Sequence, residues 1–230
     1  LKTRDRLGLI RDVFALAENG TLSATEALTF AAHFKADTEY VIWSEIASNL
    51  ATMHSLVAHE PYPADFEIFA RSLFSEIRKK YTWGTKPKGH ADALLKVLVL
   101  GALGKYGDEQ ICDEAKKFFA QGIEKVLADL RGVVYGIVAR HGGETEYRKM
   151  TGMYKKMQLH EEKNRIGSAL TNFRHHDLLE KTLHFALSDE VRLQDKTRMI
   201  AGVTVNPMGL DISWPWIQRN WKTFTSWYTG

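Results

Sequence analysis

His160-Glu161-Glu162-Lys163-Asn164 comes nearer to a catalytic motif than the other polar runs of this chain. It opens like H-E-x-x-H, in which a second histidine one helical turn later faces the same zinc ion. Asn164 stands at that position, so no metal site is expected. Glu161 and Glu162 read as solvated acids at a helix start, where the dipole favours negative charge. His175 and His176 are neighbours, and adjacent side chains diverge, which suits a surface turn or helix start better than a chelate. His54 and His59 flank the end of the third helical stretch and could line a cleft or serve as caps. Gly101 to Lys105 lacks the spacing of a phosphate loop and no strand precedes it. Cys112, the single cysteine, has no base or orienting group in its pattern and reads as a partly buried thiol.

Two clusters invite binding functions. Arg78, Lys79, Lys80, Lys86 and Lys88 surround Tyr81 and Trp83, an interleaving that can hold single-stranded nucleic acid. Cations are equally expected at a helix C-terminus, and that reading is preferred. Trp214, Trp216, Trp221 and Trp227 could anchor a peptide. A closing helix packed on the preceding pair accounts for them as well and is preferred.

The elements that position these residues are helical almost throughout. Leu7, Ile10, Phe14 and Ala17 form one face. Trp43, Ile46, Ala47, Leu50 and Val57 form a second, and Phe66, Phe69, Ala70, Leu73 and Ile77 a third. Ile217, Trp221, Phe224 and Tyr228 close the series. Strand-like alternation is limited to scraps such as Val203-Thr204-Val205. Asn19-Gly20 ends the first helix, Ser23 with Glu26 makes a capping box, and Pro61 and Pro63 break the chain after the third helix. Turn-rich loops follow at 84–89 and at His141-Gly142-Gly143. About twelve helices with short connections predict an all-α fold, an α-α superhelix of antiparallel helix pairs of the HEAT or armadillo kind. Residues 1–230 are expected to form a single helical-repeat domain.

Composition agrees with a globular chain: 44% hydrophobic and 26% charged residues. The 31 basic and 28 acidic residues nearly balance, which by itself predicts neither nucleic-acid nor anionic-membrane binding. One cysteine excludes an internal disulfide and favours a reducing compartment, so a cytoplasmic location is expected. The apolar stretch at 93–104 is interrupted by Lys96 and too short to span a bilayer. No membrane and no nucleic-acid partner is expected.

Several phrases resemble a known family. DRLGLIRDVFALAENGTLS (5–23) and TEYVIW (38–43) are similar to the opening of the C-terminal helical domain of zinc metallo-aminopeptidases, of the aminopeptidase N and puromycin-sensitive branch. The likeness continues in order through DLRGVVYGIVARHGGETEYRKM (129–150), EEKNRIGSAL (161–170), VRLQD (191–195), NPMG (206–209) and WPWIQRNW (214–221). The resemblance implies a non-catalytic domain that covers the active site and shapes a peptide cavity. It implies an upstream catalytic domain in the same polypeptide as partner, with zinc there and no cofactor in this chain, and peptides as substrates. Family members continue past the position of Trp221, so either a chain cut short at its C-terminus or a short family tail is expected, the former preferred. Relatives often carry a basic residue where this chain has Asn172, with Arg174 two positions on. His54 and Asn206 fall where relatives line the cavity. These four residues are the expected cavity wall. A free-standing helical scaffold for a protein partner is the alternative function.

Overall fold

A computed structural model describes residues 1–227. They fold into helices, with no strand among the described residues, and the all-α class is as expected. Packing divides the chain into two compact units, Leu1–Ile111 and Cys112 onward.

In the first unit, α1 (Thr3–Glu18) stops at Asn19-Gly20, where Gly20 has a φ of 79°, a backbone region open to glycine. The expected capping box starts α2 (Ala24–Ala31): the Glu26 amide donates to Ser23 Oγ at 3.2 Å, and the Ser23 amide donates to Glu26 Oε2 at 2.8 Å. Next come α3 (Tyr40–Leu56), α4 (Pro63–Leu73), α5 (Ser75–Arg78) and α6 (His90–Lys105). Pro63 occupies the first turn of α4, where its missing N–H has no partner to lose. Helix α1 packs on α2 and α3, and α3 packs on α4 and α6. Ile10 and Phe14 of α1 and Ile42, Trp43, Ile46 and Leu50 of α3 are buried.

Lys96, which interrupts the most apolar stretch of the sequence, lies inside this unit at 1% exposure. Its Nζ donates to the carbonyls of Trp83 and Thr85 at 2.8 and 2.7 Å, tying the 84–89 loop to α6. Burial pushes its pKa below the usual lysine range.

Helix α7 (Glu109–Gln121) crosses the division between the units. The second unit continues with α8 (Ala128–His141), α9 (Glu144–Lys156), α10 (His160–Leu170), α11 (His176–Leu187), α12 (Leu193–Val205), α13 (Leu210–Arg219) and α14 (Trp221–Ser226). Helix α10 packs on α8, α9 and α12, while α12 packs on α11 and α13. The described residues thus hold fourteen α-helices. The two beyond the expected twelve are accounted for by α5 and α14, of 4 and 6 residues. Helices that short carry too few apolar positions to show a period.

Three expectations are corrected here. Val203-Thr204-Val205 is the last turn of α12, not strand, because Val203 is buried and Thr204 Oγ1 donates to the Ile200 carbonyl at 3.0 Å. Packing overrides the β-propensity of these residues. Glu162 is buried at 3% exposure rather than solvated: its Oε2 accepts from Arg131 of α8 at 3.2 Å and from Arg165 at 3.0 Å. Glu161 is exposed, as expected, with Arg165 Nη2 at 2.5 Å. Trp221 is 59% exposed, and the inward indole of that phrase is Trp216 at 2%. Tyr228, assigned to the closing stripe, lies outside the described residues.

Burial also sets an alkaline limit for the second unit. The Tyr147 phenol is pushed up to about 12, first by burial, while the Thr182 hydroxyl acts in the opposite sense. Tyr135 moves the same way through burial and the Glu162 carboxylate. A phenol whose folded pKa exceeds its unfolded value of about 10 contributes full stability below pH 10. That contribution is lost as pH rises through 12. Denaturant melts should therefore show stability falling between pH 10 and 12, by roughly 2–3 kcal/mol for Tyr147 alone. Tyr147→Phe should flatten that fall. An identical fall in the variant would assign the alkaline transition to other groups.

Candidate functional site

Three of the four expected wall residues meet at one place, the connection between α10 and α11. Thr171 caps α10, with its Oγ1 donating to the Ser168 carbonyl at 2.8 Å. His175 is the N-cap of α11, and both His175 and His176 are exposed, which matches the helix start expected for them. Between these ends the chain alternates in and out. Thr171 and Phe173 are buried, and Asn172 and Arg174 are exposed.

Pegs below the surface hold this course. Phe173 is fully buried, with its ring edge-on to Tyr147 at 5.4 Å between centroids. Thr182 Oγ1, inside α11, donates to the Leu170 carbonyl at 3.2 Å. Asn206, just past α12, donates from Nδ2 to the carbonyls of Thr171 at 2.7 Å and Phe173 at 2.9 Å. Its Oδ1 accepts from the Met208 amide at 3.0 Å. The NPMG phrase is the base of this anchor. Pro207 opens a 3-10 turn, and a Cβ on Gly209 would come within 2.1 Å of the Val203 carbonyl oxygen, so only glycine fits that close approach.

What remains at the surface is simple. Arg174 makes no ion pair with any described residue. Asn172 makes one long bond, Nδ2 to the Ser168 carbonyl at 3.4 Å, and lies over Gly136 of α8. A planar guanidinium beside a side-chain amide is a donor-rich pair, suited to an anionic or carbonyl-bearing ligand.

His54, the fourth expected residue, belongs to the first unit and is 6% exposed. Its Nε2 stands 3.0 Å from Glu67 Oε1, and its ring is packed by Phe66 and Tyr106 at 5.8 and 5.5 Å. Near His54 the sequence reading missed a groove of about 550 Å³ between α2, α3 and α4, lined by Leu28, Met53, Leu56, Tyr62, Phe66 and Phe69. Phe69 belongs to the same apolar face as Phe66 yet is only half-buried.

The other clusters resolve into structure. Three of the five cations of the 78–88 segment face acids: Arg78 meets Asp108 at 3.1 Å, Lys79 meets Glu76 at 2.8 Å, and Lys80 meets Asp92 at 3.5 Å, while Lys86 and Lys88 are exposed. Tyr81 and Trp83 are buried, so their ring faces lie inside. Cys112 is buried. Among the described residues, no group of three or more His, Cys, Asp or Glu side chains is placed to hold a metal ion, and none of their helices is long and apolar enough to cross a membrane.

Fold and loop together give an all-helical chain, among its described residues, that carries exposed Asn172 and Arg174 on a pegged turn between two helices. The model of the ERAP1-like C-terminal domain family matches residues 1–230, and the chain belongs to that family. It is 30% identical over 228 residues to the alanine/arginine aminopeptidase of Saccharomyces cerevisiae, covering 96% of this chain and 27% of that protein. Glutamyl aminopeptidase of Sus scrofa is 30% identical over 234 residues, 99% of this chain and 25% of its own length. Aminopeptidase M1-A of Oryza sativa is 27% identical over 241 residues, 100% of this chain and 27% of its own. The chain thus spans about a quarter of the length of the curated relatives it matches.

Proposed function

We propose that this chain works as the C-terminal domain of a zinc aminopeptidase. Here it covers the active site of an upstream catalytic domain and shapes the cavity that receives peptides. In this reading zinc and bond cleavage belong to the upstream catalytic domain. A cytoplasmic setting accords with a single, buried thiol. The observation that carries the reading is Arg174, exposed, without an ion pair, and held beside Asn172 on a turn fixed from beneath.

The domain contributes by positioning. Contacts distal to the scissile bond orient a bound peptide, and orientation raises rate without adding a catalytic group. A guanidinium can accept a peptide carboxylate through two parallel N–H···O bonds. In the intact enzyme, Arg174→Ala should raise KM about tenfold for peptides several residues long, the loss of one charge-assisted contact. Single-residue chromogenic substrates should be unaffected, since they end short of the turn. Equal losses on both substrate classes would make Arg174 a structural residue, and no loss on either would place the anchor elsewhere.

The second reading is a free-standing helical scaffold for a protein partner, and the apolar groove between α2, α3 and α4 is the feature that favours it. That reading expects Leu56→Glu, at the exposed lip of the groove, to abolish partner binding while leaving peptide hydrolysis by any enzyme carrying this chain unchanged.

A further inference from the structure

The geometry points to Asn206 as the positioning residue of the Asn172–Arg174 turn, acting on a bound peptide through that turn and making no contact with the peptide itself. This inference rests on the reading of the turn as part of a peptide cavity. Asn206 was expected in the cavity wall beside Asn172 and Arg174, but its amide is already committed. Both hydrogens of Nδ2 go to the carbonyls of Thr171 and Phe173, at 2.7 and 2.9 Å, and Oδ1 takes the Met208 amide at 3.0 Å. A primary amide has two N–H donors, so none is left for a ligand.

The two carbonyls belong to the buried residues of the turn, and Asn172 and Arg174 are the residues that follow them. Fixing successive inward carbonyls fixes the peptide planes between them, and so the direction in which each outward side chain leaves the backbone. Phe173 supplies an apolar peg at the same point, but a ring in a pocket sets depth better than rotation. Rotation is set by the amide, through two directional bonds to one side chain that comes from 33 and 35 residues further along the chain. Freed of those bonds, the turn can sample other courses, and the guanidinium of Arg174 spends less time where a carboxylate can meet it in bidentate fashion.

Asn206→Asp separates this role from plain structural support. The aspartate keeps an oxygen for the Met208 amide and so keeps the 207–209 turn. It loses both donors and sets a carboxylate against two carbonyl oxygens. In the intact enzyme carrying this chain, Asn206→Asp should raise KM for long peptides about tenfold with little change in kcat, matching Arg174→Ala, and should leave single-residue substrates unchanged. Hydrogen exchange at the amides of 172–176 should quicken about tenfold while that at Met208 holds. Asn206→Ala, which removes the donors without adding charge, takes its place if the aspartate variant does not fold.

Normal exchange at 172–176 in the folded variant overturns the inference whatever the kinetics. So does a long-peptide KM that rises in Arg174→Ala but not in Asn206→Asp. If exchange quickens and neither variant changes the long-peptide KM, both the positioning role and the cavity reading fail. If Arg174→Ala alone is silent while Asn206→Asp raises the long-peptide KM, the turn is in the cavity, Asn206 positions it, and Asn172 is the contact.

Discussion

Alanine at position 43 is expected to lower the stability of the fold by about 3–5 kcal/mol. Trp43 is 1% exposed, with its ring 4.9 Å from that of the fully buried Phe74. Its Nε1 donates to the Asp37 carbonyl at 2.8 Å, which fastens the segment leading into α3. Truncation removes a large apolar surface from the core, leaves a cavity, and deprives that carbonyl of its donor. Trp221→Ala is the internal control. With 59% of that residue in solvent, its loss should cost less than about 1 kcal/mol. Denaturant midpoints at unchanged slope measure both. A loss below about 1 kcal/mol at Trp43 would refute its place in the core.

Glu162→Ala is expected to cost about 3 kcal/mol through a different cause. One buried carboxylate oxygen serves Arg131 of α8 and Arg165 of α10, at 3.2 and 3.0 Å, and so joins the two helices. Removing it leaves two guanidinium groups side by side in a site where each keeps only about a quarter or a fifth of its surface in water, 24% and 20%. Arg131 retains its Nε bond to the Val126 carbonyl and Arg165 its contact with Glu161, which keeps the cost from rising further. Glu162→Gln, close in shape but uncharged, should cost less than the alanine. Melts in which both variants match the parent would mean that the α8–α10 seam is held by its apolar contacts alone.

The capping box at Ser23, the break at Pro63 and the stop at Asn19-Gly20 were legible because each works through atoms within four residues of one another. The tryptophans mark where that legibility ends. Read as one continuous helix, the spacing of seven would put Trp214 and Trp221 on one face and Trp216 on another, but the helix breaks at Asn220 between α13 and α14. Both faces are apolar, so periodicity cannot say which looks inward. Gly209 and Ser213, seven and three positions before Trp216, are small and buried with it, and α13 packs on α12. Glu162 was misread for a related reason. Arg165 is local, but the burial comes from Arg131 and α8, 31 residues away. In the candidate site, Asn172 and Arg174 were named from the sequence, and both are exposed on the turn between α10 and α11. The work of Asn206 was hidden, because a bond to a carbonyl 33 or 35 residues distant leaves no trace in local spacing. His54 was named for its place at a helix end, and its pairing with Glu67 was not visible from there.

The in-and-out alternation from Thr171 to Arg174 has a consequence for how such a domain can diverge. Asn206 grips main-chain oxygens, which every residue type supplies, and Phe173 seats the turn from the inner side. The outward side chains at 172 and 174 carry almost none of that grip. Heritable change can therefore exchange amide for amine, or arginine for an acid, at those two positions without disturbing the backbone beneath them. Four consecutive residues thus encode two separable traits, one set by the mechanics of the backbone and one by the side chains it presents.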